Sequence, residues 1–517
     1  MNKIIRILAC TLFIALVGCA DRNEDHLFDR VASDSFYNSP EDFAATVANV
    51  YQSLTGISFW YTMVQDNASD AIAIFQHADG WNNGRHHATA SHELQASDTR
   101  FPIPNIWGVI FDGIAKANLA LESLELAEDS DVKTEFIAEC KVIRAYYYLL
   151  GMDVYGDMPL VTVARIDPQN LPTRKPRSEV FTFVERELLD AIAVLPTGMD
   201  ENRFPRINRE AARAVLATLY LNAEVYTGEG RWSDCITQCD FILGASGYGL
   251  AANYFDLFAV NNHQQAQEMI FYIDHDPAEN TGGSIGMVRA SLTQAWINEN
   301  YPGFPYTVWN GPAVQPRFYR KYDTADLRYQ NGFLEGVQFT QSGDTLRDES
   351  GNVVDHKIDF YLTMDDVPDG ADYLGVNEGV RVIKWEPDMG AIDNDQGNGM
   401  PLIRVADIML QKAECLLRLN GDDDGEAINL VNQVRVRSFE PDKPVSTLTL
   451  DDLYWERGFE LFTEGHRRRD MIRFGTYHVD SLNGEFAIGH PKENSLFPIP
   501  QNQIDANPNL LPNNPTN

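Results

Sequence analysis

The sequence predicts a mostly α-helical protein: a tetratricopeptide-like scaffold of paired helices, interrupted by a long loop-rich insertion carrying short strands. Three observations carry this expectation. Apolar residues recur at helical spacing in five successive blocks across residues 106–242, with alanines where helices approach closely. From about residue 244 to 401 that period fails, glycine and proline become frequent, and strand-like runs are short, as at 269–273 and 380–385. Helical spacing then returns at 404–419, 426–437 and 453–475.

The chain begins with Lys3 and Arg6 ahead of an apolar run at 7–18, which is too short to span a bilayer. Residues 1–18 read as a signal peptide and the acidic stretch 19–35 as a tether. Residues 36–54 suit a helix with Pro40 in its first turn and Phe43, Val47, Val50, Tyr51 and Leu54 on one side. Two of the following stripes are Trp107, Ile110, Ile114, Ala117, Leu121 and Phe136, Cys140, Ile143, Tyr147, Leu150. The expected organisation is one domain over 36–517. Its helical scaffold covers 36–243 and 402–475, its insertion 244–401 and its extended, Asn- and Pro-rich tail 476–517. Residues 344–355 alternate polar residues with glycine, as exposed hairpins do.

The most informative run is 453–475. Trp455, Phe459 and Phe462 fall on one stripe, while Glu456, Glu460 and Glu464 climb the other side in steps of four. Thr449 with Asp452 predicts a capped start, and Gly465 an end. Three stacked acids repel one another and require neutralising charge. Arg457, Arg467 and Arg473 are the nearest cations, so an ion-pair network is expected rather than a hydrolytic carboxylate pair.

Composition narrows the function. A formal charge of −34 argues against nucleic acid and other polyanions. Cys140, Cys235, Cys239 and Cys415 form neither a dense disulfide framework nor a zinc-ligand spacing. His86, His87 and His92 lack the spacing of a metal motif. No cofactor is expected. The stretches 393–399 and 422–424 look only faintly like calcium loops, and Arg404 stands where the first would need a bidentate acid, so calcium would be adventitious.

Two stretches have the make-up of a carbohydrate site, in which flat rings stack on sugar faces and forked polar groups meet hydroxyls. The first offers Trp60, Asp70, Trp81, Asn83 and Arg85; the second offers Trp296, Tyr306 and Trp309 amid Asn298, Asn300 and Asn310. A secreted glycoside hydrolase is the competing enzyme reading, although no nucleophile, metal or phosphate motif is present. A helical scaffold that binds only proteins, or captures peptides, is the other alternative.

Several motifs together resemble the SusD/RagB family. They are Glu456-Arg457-x-x-Glu460-Leu461-x-x-Glu464-Gly465-x-Arg467, Asp470-x-x-Arg473-x-Gly475, Phe497-Pro498-Ile499-Pro500 and Asn507-Pro508-Asn509-Leu510. Asp112-Gly113-Ile114-x-x-Ala117-Asn118, Arg144-Ala145-Tyr146-Tyr147-Tyr148 and Asn432-x-x-Arg435-x-Arg437 are similar to the family too. Leu16-Val17-Gly18-Cys19 resembles a lipobox, so Cys19 would carry a covalent lipid. The resemblance implies a non-enzymatic, surface-exposed outer-membrane lipoprotein. It would bind a glycan and pass it to a SusC-like TonB-dependent transporter.

Overall fold

Helix α1, Pro40–Ser53, buries Val47 and Val50 and begins at the proline the sequence marks. After a single π-helical turn at Ile57–Tyr61 come α2, Thr62–Asn67, and strand β1, Ile72–Ile74. Five helices follow: α3 Ile103–Glu125, α4 Asp131–Tyr155, α5 Arg177–Val194, α6 Arg209–Leu221 and α7 Trp232–Leu243. The excursion carries β2 Met269–Ile273, α8 Gln294–Asn300 and β3 Pro312–Val314 before β4, Met400–Arg404. Then come α9 Val405–Asn420, α10 Gly425–Arg435, α11 Leu450–Glu460 and α12 Arg467–Phe474. This computed structural model describes residues 40–74, 86–90, 92, 94–98, 102–276, 291–358, 379–392, 395–477 and 495–515.

The helices stack in succession, α3 on α4, α4 on α5, α5 on α6, α6 on α7, and α7 on α9, which also packs against α10 and α11. The protein is therefore helix-rich with a tetratricopeptide-like pairing. Helix α4 is the hub: apart from Lys141 it is buried from Ala138 to Tyr155, starts on a Ser130 cap that accepts from Lys133 N, and stops at Gly156 with φ +67°. Its approach to α3 requires Gly113, where a Cβ would lie 2.1 Å from the Tyr147 ring. Cys235 and Cys239 share one face of α7 with sulfurs 4.0 Å apart. A continuous apolar core runs from Val47 to Leu510.

Between α7 and β4 no described helix exceeds α8 in length. The ends of this excursion are tied by β2 and β4, which pair antiparallel with Met400 opposite Ile273. Residues 336–356 form nested hairpins, as the alternation there predicts. Within 380–385 only Arg381–Val382 is strand, pairing with Phe333–Leu334.

Two expectations are corrected. Residues 453–475 form two helices: α11 opens on the Thr449–Asp452 capping box and ends at Glu460, and Gly465 leads into α12 instead of closing α11. The reversal between them uses left-handed backbone at Thr463 (φ +58°) and Gly465 (φ +77°). The tail is not wholly extended, because Gln501–Ala506 is helical. Burial of Ile504 in the core and a bond from Gln501 N to Ala96 O stabilise a turn that local propensity does not signal. The acids at 422–424 face backbone donors: Asp424 caps α10, Asp423 accepts from Leu448 N, and Asp422 from Leu450 N. Asp393 and Asn394 lie outside the described residues.

Candidate functional site

The two aromatic stretches meet because β1 and β3 pair. Ile72 stands opposite Val314, Ala73 opposite Ala313 and Ile74 opposite Pro312. Gln315 completes the clamp: its backbone N donates to Ala71 O, and its side-chain amide donates to Ser69 O (2.7 Å) and to Ile72 O (3.0 Å), 243 positions away. The polar atoms of this junction are paired inside the protein, so it is a fixed seam rather than a passing contact.

The π-helical turn sets which rings face out. It sends Ile57, Ser58 and Tyr61 inward and leaves Phe59 and Trp60 half-buried. Phe59 then sits edge-on to Trp60 (centroids 4.7 Å, planes at 70°) and to Trp309 (6.0 Å, 72°). A second run of rings passes from Trp296 to Tyr301, Phe304 and Tyr306 at centroid distances of 6.0, 6.3 and 4.5 Å. Trp60, Trp296, Tyr306 and Trp309 are all half-buried, and the three tryptophans pack one part of the ring on the core with another part open. Their loop is braced internally: Gln294 accepts from Val308 N, and Asn310, at φ +54°, donates from its N to Leu292 O. Phe59 belongs to the first aromatic stretch but is not among the candidate residues singled out from the sequence. The half-turn shift of a π-helix, which places it between two tryptophans, leaves no mark at 3.6-residue spacing.

Asp70 belongs to a different role from the one expected. It is 7% exposed, and Arg467 grips both its oxygens, Nε at 2.6 Å from Oδ1 and Nη2 at 2.9 Å from Oδ2, while the Tyr454 hydroxyl donates at 3.2 Å. The carboxylate is thereby turned into the protein and withdrawn from ligand contact. Trp81, Asn83 and Arg85 lie outside the described residues, as does Cys19.

The run 456–473 forms a buried floor whose α12 packs against α2. Its three stacked glutamates are neutralised, but by cations distant in sequence. Glu460, fully buried, meets Arg404 (2.7 Å), Arg437 (2.7 Å) and Arg328 (2.9 Å). Glu464 meets Arg404 and Lys384, each at 2.7 Å, and Glu456 meets Arg328 and Arg435. Arg457, Arg467 and Arg473, the neighbours expected to do this, reach instead to Asp407 and Asp470, to Asp70, and to Glu414 and Asp470. Burial alone would raise Glu460 and Glu464, but the surrounding guanidiniums overcome it and hold both carboxyls below their usual range. Phe318 packs on all three rings of the stripe, with centroids 6.1 Å from Trp455, 5.8 Å from Phe459 and 5.3 Å from Phe462.

One acid here is not paired in this way. Among the described residues, Asp66, wholly buried in α2, accepts only Gly465 N (3.3 Å) on Oδ2, and its other oxygen meets no partner there. Desolvation pushes its carboxyl up to about 8, against the weaker pull of Gly465 N–H and Lys384. Among the described residues no group of three or more His, Cys, Asp or Glu could hold a metal ion.

The model of the SusD family matches residues 244–516, and a model described as starch-binding associating with outer membrane matches 25–221. Starch-binding protein SusD of Bacteroides thetaiotaomicron is 26% identical over 443 residues, 77% of this chain and 76% of its own length. SusD-like protein P25 of Formosa agariphila is 24% identical and covers 98% of this chain and 97% of its own. In fold the chain is similar to a laminarin-binding SusD-like protein (TM-score 0.71, 21% identity, covering 93% of this chain and all of that one). It is also similar to surface glycan-binding protein A of B. thetaiotaomicron in complex with laminarihexaose (TM-score 0.71, 18% identity, covering 92% of this chain and all of that one). With one family model spanning the excursion, the ion-paired floor and the tail, and with relatives aligned along nearly the whole length, this chain belongs to the SusD family.

Proposed function

We propose that the protein is a surface-exposed outer-membrane lipoprotein, anchored through Cys19, that captures an oligosaccharide or polysaccharide on its ring-bearing face. It then passes the ligand unaltered to a SusC-like TonB-dependent transporter. The observation that carries this reading is the seam between β1 and β3, across which Phe59 meets both Trp60 and Trp309 edge-on while both indoles stay half-buried. Half-embedded indoles are rigid, and stacking on a sugar face costs them little side-chain entropy. The amides at Asn298 and Asn300 are exposed beside Trp296 and supply donors and acceptors for hydroxyls. Trp81, Asn83 and Arg85 extend the same proposal in sequence. The glycan ligands in the relatives' names, starch and laminarin, support the substrate class.

Calorimetry of the mature chain against a glycan panel tests the reading. Trp60→Ala and Trp309→Ala should each weaken binding by about tenfold, and the glycan should be recovered with its reducing-end count unchanged. Binding that survives both substitutions at parental strength removes the platform. Release of new reducing ends would replace capture with hydrolysis.

A further inference from the structure

The apolar stripe of α11 is not fully covered. Trp455 and Phe459, one turn apart, stay half-buried although Phe318 packs on both, and Asp451 stands exposed one turn before Trp455 on the same face. This face lines a cleft of about 550 Å³, together with Lys321, Arg435 and residues 444–448. None of Phe59, Trp60, Trp296, Tyr306 or Trp309 is among its described lining residues. The 444–448 wall is fixed before any ligand arrives. Asn432 holds Val445 twice, donating from Nδ2 to its carbonyl (2.9 Å) and accepting from its N (2.8 Å), and Leu448 N donates to Asp423 (2.7 Å). Between these two fastenings Ser446 and Thr447 are exposed, and their hydroxyls meet no partner among the described residues. A wall ordered in advance spares a ligand the entropy of ordering it.

Charge within the cleft cancels. Arg435 pairs with Glu456 (2.5 Å), and Asp452 is engaged in the capping box with Thr449. That leaves Asp451 and Lys321, neither of which has an ion-pair partner among the described residues. The Lys321 ammonium lies 5.0 Å from the Trp455 ring centroid, and Lys321 is exposed, so this cation–π contact is weak and a ligand displaces it at little cost. One unpaired carboxylate and one displaceable ammonium beside a half-open indole give an ion no net charge to follow. They suit a neutral ring that is apolar on its face and hydroxylated at its edge.

We propose that this cleft is a second, weaker binding site for a neutral sugar unit. One pyranose face would stack on Trp455 in the place of Lys321. Asp451 would accept from the sugar hydroxyls, and Lys321, Ser446 and Thr447 would donate to its oxygens. A long glycan would then hold the protein at two points, and the gain comes from linkage rather than from strength at either one. The choice of a sugar rests on the glycan-capture reading, but the cleft shares no described residue with the ring platform.

Calorimetry on a chain carrying both Trp60→Ala and Trp309→Ala isolates the cleft, with maltohexaose and laminarihexaose as probes. That chain should keep weak binding of at least one hexamer, with a Kd of about 1 mM. Adding Trp455→Ala should weaken this residual binding about tenfold. Adding Asp451→Ala with Lys321→Ala instead, both on the exposed rim, should weaken it about fivefold. A hexagalacturonate and a Gly-Ser hexapeptide should both bind less tightly than the neutral hexamer. If Trp455→Ala does not fold, the rim pair alone decides. Absence of residual hexamer binding, residual binding that neither set of substitutions weakens, or tighter binding of the uronate or the peptide overturns the proposal. Failure of the ring platform reads out separately, because the Trp60→Ala and Trp309→Ala chain would then bind the hexamers as tightly as its parent.

Discussion

Replacing Asp66 by asparagine should stabilise the protein, and by an amount that grows with pH. The wild-type carboxyl has a folded-state pKa of about 8 against an ordinary value of 3.8, because burial disfavours its charged form and one backbone N–H does not compensate. Between those two values the folded state holds a proton that the unfolded state has released, so stability falls as pH rises through that window. Each pH unit within it costs just over ~1 kcal/mol, which amounts to about 2 kcal/mol at pH 5 and about 4 kcal/mol at pH 7. Asparagine is neutral throughout, keeps an oxygen for Gly465 N–H, and occupies nearly the same volume. The gain should therefore be near zero below about pH 4 and level off above about pH 8. Urea denaturation of the mature chain and the variant at pH 3.5, 5, 7 and 8.5 measures it. A variant that is less stable than the parent at pH 7, or whose difference does not change with pH, would refute the assignment of a desolvated, under-partnered carboxyl.

Other outcomes are expected from the same floor. Arg467→Met leaves Asp70 charged and buried and should cost about 3–5 kcal/mol by denaturation; adding Asp70→Leu should restore part of it. Gly458→Ala drives a methyl to within 2.6 Å of the Arg467 guanidinium and should cost about 1–3 kcal/mol by denaturation. Glu460, Glu464 and Asp470 are held below the ordinary carboxylate range, so their stabilisation is complete above about pH 4 to 5 and lost as pH falls further. Circular dichroism should therefore show acid unfolding beginning below that range, in the parent and in Asp66→Asn alike.

The scaffold was legible because burial of a helix face leaves a periodic trace. Trp107, Ile110 and Ile114, or Phe181, Val184 and Leu188, sort inward by spacing alone, and all are buried. The Thr449–Asp452 capping box was legible for the same local reason. Charge pairing was not, because the cations that face Glu460 come from positions 328, 404 and 437, and only the fold decides which guanidinium arrives. Asp70 shows the same limit: residue type suggested a hydroxyl partner, whereas a buried arginine 397 positions away had already taken both oxygens. The candidate rings were picked on residue type alone, and the structure leaves Trp60, Trp296, Tyr306 and Trp309 half-buried. Their meeting through β1 and β3 is a non-local pairing that no short window contains.

That seam has a consequence for how a chain of this fold diversifies. Among the described residues, three strand pairs and the backbone and side-chain amides of Gln315 tie the two ring-bearing segments together, and none of these contacts uses Trp60, Trp296, Tyr306 or Trp309. Lengthening, shortening or recolouring either loop leaves the fastening and the arginine-filled floor unaltered. The same chassis can then be refitted for a new diet by exchanging only its upholstery.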